Sequence, residues 1–165
     1  MIFSAMFIMS ACSTATGTQG GPGSAKDGNE VSIETAAMKL VKAAETGAYE
    51  LVNTEDLKAW VDADEDMIII DTMPADSFKK NRIPGAVNAV LPLKIDDLTA
   101  EERAAFVEAL GTDKSKKIVL YCGFVNCERS HVGGLIAKEE GFTNILRHPG
   151  GIVAWMDAGY DVEKD

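Results

Sequence analysis

The chain is predicted to fold as an α/β domain with a mostly parallel central sheet flanked by helices, and three observations lead there. Short apolar runs that read as strands alternate with amphipathic segments that read as helices. Residues 67–70 and 118–121 are continuously apolar, too short for helices, and have the pattern of buried strands. With 165 residues of 46% hydrophobic composition, the chain can bury one core, so one folded domain is expected.

Residues 1–11 are almost all apolar or small and fit the apolar core of a signal peptide. Met9-Ser10-Ala11-Cys12 resembles a bacterial lipobox, in which Cys12 would be acylated and become the mature N-terminus. The usual cationic stretch is missing and Met9 stands where Leu is commoner; a start codon placed too far downstream would explain the missing charge. An ordinary signal peptide and a stray apolar N-terminus are the alternatives. Residues 13–29 are rich in Gly, Ser and Thr, cannot bury a core, and read as a flexible tether. This divides the chain into a signal peptide with lipobox (1–12), a linker (13–29) and the folded domain (30–165).

Within the domain, residues 31–46 carry Ile33, Ala36, Ala37, Leu40, Val41 and Ala44 at helical spacing, closed by Gly47. Residues 49–52 read as a short strand. Asn53 or Thr54 caps a helix whose buried face is Leu57, Trp60 and Val61. The strand at 67–70 ends in Asp71, and a short helix at 75–80 follows Pro74. A Pro-Gly turn at 82–88 feeds another strand. Thr99 caps a helix with Glu101 and Glu102 in its first turn, and Gly111 ends it. The strand at 118–121 leads through a cysteine-bearing loop to a helix at 130–140, closed by Gly141. A last strand at 144–146 and a helix carrying Val153, Trp155 and Met156 complete the domain.

The stretch that organises the rest is the loop Cys122-Gly-Phe-Val-Asn-Cys127-Glu-Arg129. Backbone N–H groups in such a loop and in the following helical turn can converge on one spot and hold an anion. The same field lowers a thiol's pKa, and the thiolate is the nucleophile. The net charge of −10, from 26 Asp+Glu against 16 Lys+Arg, disfavours nucleic acid and anionic lipid as partners.

These residues resemble the rhodanese-like domain family over residues 49–162. The matching pieces are Ile68-Ile-Ile-Asp71, the turn Arg82-Ile-Pro-Gly-Ala-Val-Asn88, Val119-Leu-Tyr-Cys122 opening the loop, and Arg129-Ser130 closing it. Gly141-Phe and Pro149-Gly-Gly-Ile-Val-Ala-Trp155 complete the set. The resemblance implies a three-layer fold and a loop cysteine that takes a sulfane sulfur as a persulfide and passes it to a thiol or cyanide. It makes Cys122 the nucleophile, directly after the strand, where the family places it. Gly123, Phe124, Val125, Asn126, Glu128 and Ser130 become the substrate-binding loop, with Asp71 and Arg82 in support. Three departures stand out. Six residues separate Cys122 from Arg129, where family sulfurtransferases have four and phosphatases of the fold five. Asp71-Thr-Met73 lacks the usual Arg, and Arg82 replaces a His.

Cys127 is the unusual residue. It can resolve a persulfide or sulfenate on Cys122, serve as the nucleophile itself, or close a structural disulfide; Cys122 as nucleophile with Cys127 as redox partner is preferred. Arg129 would clamp the anion, while Ser130 is expected to cap the helix. Asp71 is expected to hold backbone N–H groups at the strand end. His131 with the two cysteines makes a poor zinc set, so no metal or cofactor is assigned. His148 lies near the closing turn and can face the loop, and Trp60 and Trp155 read as packing residues.

The leading expectation is an envelope sulfurtransferase or persulfide carrier acting on a small sulfur-containing anion or a thiol acceptor, with membrane contact only through a lipid on Cys12. The competing classes are phosphatase or arsenate reduction on the same fold, and a non-catalytic binding module.

Overall fold

The computed structural model describes residues 29–165. The signal-peptide, lipobox and linker readings, Cys12 included, lie outside the described residues. In chain order the elements are α1 (Glu30–Gly47), β1 (Glu50–Leu51), α2 (Thr54–Asp62), β2 (Met67–Asp71), α3 (Ala75–Lys80) and β3 (Val87–Asn88). They continue with α4 (Ala100–Leu110), β4 (Lys117–Tyr121), α5 (Arg129–Glu139), β5 (Ile145–His148) and α6 (Gly151–Asp157). Helix starts follow local chemistry. The Asn53 side chain accepts from the Asp56 N–H to open α2, and Thr99 with Glu102 forms a reciprocal capping box on α4.

The five strands form one parallel sheet in the order β1-β5-β4-β2-β3. Side chains alternate along the central strand β4 and build a core on each face. Ile118 and Leu120 join Ile70, Phe106, Val132, Ile136 and Ile145 on the side of α4 and α5. Val119 and Tyr121 join Leu57, Ile69, Leu146, Ile152 and Trp155 on the side of α2 and α6. The result is a three-layer α/β domain. Ile118, Val119, Leu120 and Tyr121 are all fully buried, and each such side chain contributes about 1.5–3 kcal/mol.

Three details differ from the sequence reading. The buried side of α1 is made of Ala36, Ala43 and Gly47, whereas Ile33 and Val41 stay 54% and 50% exposed. Close approach selects the small residues there. A Cβ on Gly47 would lie 2.1 Å from the Tyr49 ring, and one on Gly134 in α5 2.5 Å from it, so the ring fills the slot between the two helices. The last strand runs on through Arg147 and His148, which pair with Leu120 and Tyr121 of β4 and bury both polar side chains. Arg82 is drawn to the C-terminal tail, not the loop: it contacts Glu163 at 3.2 Å and Asp165 at 2.8 Å and lies over the Phe78 ring. Among the described residues, no helix is long and apolar enough to cross a membrane.

Candidate active site

The carboxyl ends of β4 and β5 send their connections to opposite faces of the sheet, to α5 and to α6, and the crevice between them is where such sheets hold ligands. The loop after β4 occupies it. Cys122 is fully buried and Cys127 is 6% exposed. Both are free thiols, so this structure does not hold the disulfide that the sequence left open. The Cys122 thiol lies 3.2 Å from the Cys127 carbonyl oxygen and 3.2 Å from Ser130 Oγ. The Cys127 N–H donates to the Phe124 carbonyl at 2.9 Å, closing a turn that turns Phe124, Val125 and Asn126 outward.

The two thiols are electrically unequal. Cys127 is held down at about 5, first by a hydrogen bond from the Cys122 thiol, then by the backbone N–H groups of Gly123 and Arg129 and the Arg129 charge, with burial opposing. Cys122 is pushed up, by its contact with Cys127 and by burial. From position after the strand, Cys122 is the expected nucleophile; the structure brings both cysteines into the same loop, Cys122 at the end of β4 and Cys127 at the entry to α5.

The strongest feature of the site is absent from the sequence reading. Arg147 is 1% exposed and donates from Nε to Ser130 Oγ (2.8 Å), from Nη1 to the Tyr49 hydroxyl (3.3 Å) and from Nη2 to the Cys127 carbonyl (2.7 Å). All three partners are neutral. A guanidinium stays protonated, so a cation with no carboxylate paired to it among the described residues sits beside the loop, which favours negative charge on a nearby sulfur. Tyr49 also meets His131 Nδ1 at 2.9 Å, which extends the network outward.

Other residues fall differently from expectation. The Arg129 guanidinium donates to the Leu91 carbonyl, so this residue serves Cys127 with its backbone N–H and its charge. Ser130 is not a cap: α5 begins at Arg129 with Glu128 at the cap position and no side-chain cap bond, and Ser130 instead links Cys122 to Arg147. Glu128 pairs with Lys39 of α1 at 3.0 Å. Among the described residues, no three His, Cys, Asp or Glu side chains are grouped to hold a metal ion.

On the opposite side the loop is fixed by backbone. The Ile152 N–H donates to the Cys122 carbonyl and the Val153 N–H to the Gly123 carbonyl, both at 3.0 Å. Gly151 makes this seating possible. Its φ is +62°, and a Cβ there would lie 2.2 Å from the Cys122 carbonyl oxygen. His148 is buried here, with its ring nitrogens 3.2 Å from the Val52 and Gly151 carbonyls. Burial pushes its pKa down, although both carbonyls favour the cation. Asp71 accepts from the Met73 N–H at 2.8 Å. Burial raises it to about 6, while that N–H and the Tyr121 hydroxyl pull it back.

The family profile for the Rhodanese-like domain matches residues 53–158. Among solved structures, the chain resembles the thiosulfate sulfurtransferase of Pseudomonas aeruginosa at 19% identity and TM-score 0.60, over 79% of this chain and 23% of that one. It resembles the polysulfide-sulfur transferase homodimer of Wolinella succinogenes at 20% identity and TM-score 0.57, over 86% of this chain and 95% of that one. A third likeness is a Rhodopseudomonas palustris protein described as a possible tyrosine phosphatase. It is 26% identical with TM-score 0.55, over 78% of this chain and 93% of that one. No curated protein matches the chain.

Proposed function

The chain belongs to the rhodanese-like domain family, and from that premise we propose that it is a sulfane-sulfur transferase in which Cys127 receives the sulfur. The observation that carries this reading is the placement of Cys127 at the entry to α5, over the buried Arg147 guanidinium that donates to its carbonyl at 2.7 Å, with its thiol held below the ordinary range. A thiolate held there attacks the outer sulfur of a donor such as thiosulfate. The donor's S–S bond breaks, sulfite departs with the electron pair, and the outer sulfur remains on Cys127 as a persulfide. The same donors that stabilise the thiolate stabilise the persulfide anion. An acceptor thiolate then removes the outer sulfur. Two fold neighbours named as sulfurtransferases are consistent with this chemistry.

A phosphatase reading fits less well. A phosphate monoester is best held by a guanidinium whose fork faces it, and Arg129 directs one of its donors to the Leu91 carbonyl.

The test is intact-mass and peptide analysis of the reduced full chain after exposure to thiosulfate. One added sulfur atom on Cys127, removable by cyanide, is expected. An adduct confined to Cys122 would reverse the assignment, and hydrolysis of an aryl phosphate without sulfur uptake would replace it. Placement in the bacterial envelope rests on the Met9–Cys12 segment alone; Cys12→Ser is expected to release the protein from the membrane fraction.

A further inference from the structure

A sulfur carrier needs one thiol, and this loop holds two. Cys122 is fully buried, out of reach of an external donor or acceptor. Its surroundings are Ser130 Oγ and residue Cys127 itself, whose carbonyl lies 3.2 Å from the Cys122 sulfur. Among the described residues, the one other thiol is Cys127, which on the transferase reading carries the substrate's sulfur.

We propose that Cys122 resolves the Cys127 persulfide, so that the protein reduces sulfane sulfur to hydrogen sulfide as well as passing it on. The inference rests on the transferase reading. In the step, the Cys122 sulfur bonds to the inner sulfur of the Cys127 persulfide, and the bond between inner and outer sulfur breaks. The outer sulfur leaves with that electron pair and takes the Cys122 proton, departing as hydrosulfide. One thiol and one persulfide anion become one disulfide and one hydrosulfide, with charge and hydrogen conserved. The two cysteines are oxidised by one electron each, and the sulfane sulfur gains two. Hydrosulfide is a better leaving group than an alkyl thiolate, which favours attack at the inner sulfur. The resulting Cys122–Cys127 disulfide is returned to the dithiol form by a dithiol reductant.

The experiment mixes the reduced full chain with thiosulfate in the absence of reductant, and counts sulfite, sulfide and remaining thiols while mapping the cysteine peptides. One sulfide for each sulfite, with a Cys122–Cys127 disulfide, is the expected result. Cys122→Ser is expected to retain the extra sulfur on Cys127 and to release no sulfide. Sulfite without sulfide, with the persulfide persisting on the unaltered chain, overturns this inference and leaves the transferase reading standing. No sulfite and no added sulfur overturns both.

Discussion

The loop is held from two sides by different means. On the α5 side the contacts are side-chain and charged: the Arg147 guanidinium, the Tyr49 hydroxyl and Ser130 Oγ. On the α6 side they are backbone: two N–H groups reach two carbonyls across a glycine that leaves no room for a Cβ. The first side sets the charge that the site tolerates, and the second sets where its atoms lie. The two should therefore fail differently when altered.

The largest effect is expected on the backbone side. Gly151→Ala puts a methyl group into the Cys122 carbonyl at a positive φ, which should cost about 2–5 kcal/mol of stability. Whatever still folds should load sulfur on the order of 100-fold more slowly, because the loop is displaced. A denaturant midpoint and a loading rate measured on the same protein check both; a variant that is destabilised but loads normally would break the comparison.

Next is Arg147→Met, which strands the Cys127 carbonyl and the Ser130 and Tyr49 hydroxyls and should cost about 1–3 kcal/mol. Its distinguishing mark is electrical, since the midpoint of the Cys127 alkylation profile should rise. Arg147→Lys should recover part of that midpoint but little of the stability, as it keeps the charge without the fork.

Cys122→Ala follows. The unaltered chain is expected to show an iodoacetamide profile with its midpoint near pH 5 for Cys127. Removing the neighbouring thiol should move that midpoint up by about one pH unit or more, with little change in fold.

The smallest effect concerns Asp71, on the α6 side. Its folded-state pKa is raised from 3.8 to about 6, so the folded state binds the proton more tightly than the unfolded chain. The ionised carboxylate therefore destabilises the fold above pH 6, and that penalty is relieved as the pH falls from 6 towards 4. Comparing stability at pH 7.5 and pH 5 should show a relative gain of about 1–2 kcal/mol at the lower pH. The gain should be absent in Asp71→Asn.

The same contrast separates what was legible in the sequence from what was not. Apolar runs, Thr99 and Asn53 caps, and glycine stops are local signals, and they located the strands and helices. The motif pieces around Cys122, Arg129 and Trp155 located the loop. Arg147 escaped because a charged residue after Ile145-Leu146 looks like the end of a strand. Only the pairing with β4 and the alternation of faces turn it inward beneath the loop. The proposed exchange of roles between the two cysteines could not be read from the sequence for a related reason. Directions of backbone N–H groups are properties of the folded loop, and position after the strand is a poor substitute for them. On α1, counting periodic apolar residues favoured Ile33 and Val41, whereas the buried positions are Ala36, Ala43 and Gly47, the last against the Tyr49 ring.

The carbonyl of Cys127 accepts from Arg147 on one side and from the Cys122 thiol on the other. A peptide plane fastened at its oxygen by two donors cannot rotate without breaking both bonds. The loop is thus preorganised: its polarity is fixed when the chain folds, and no dipole near Cys127 has to reorient as charge arrives on the sulfur. The reorganisation that water would undergo around a charge on that sulfur has already been met in folding.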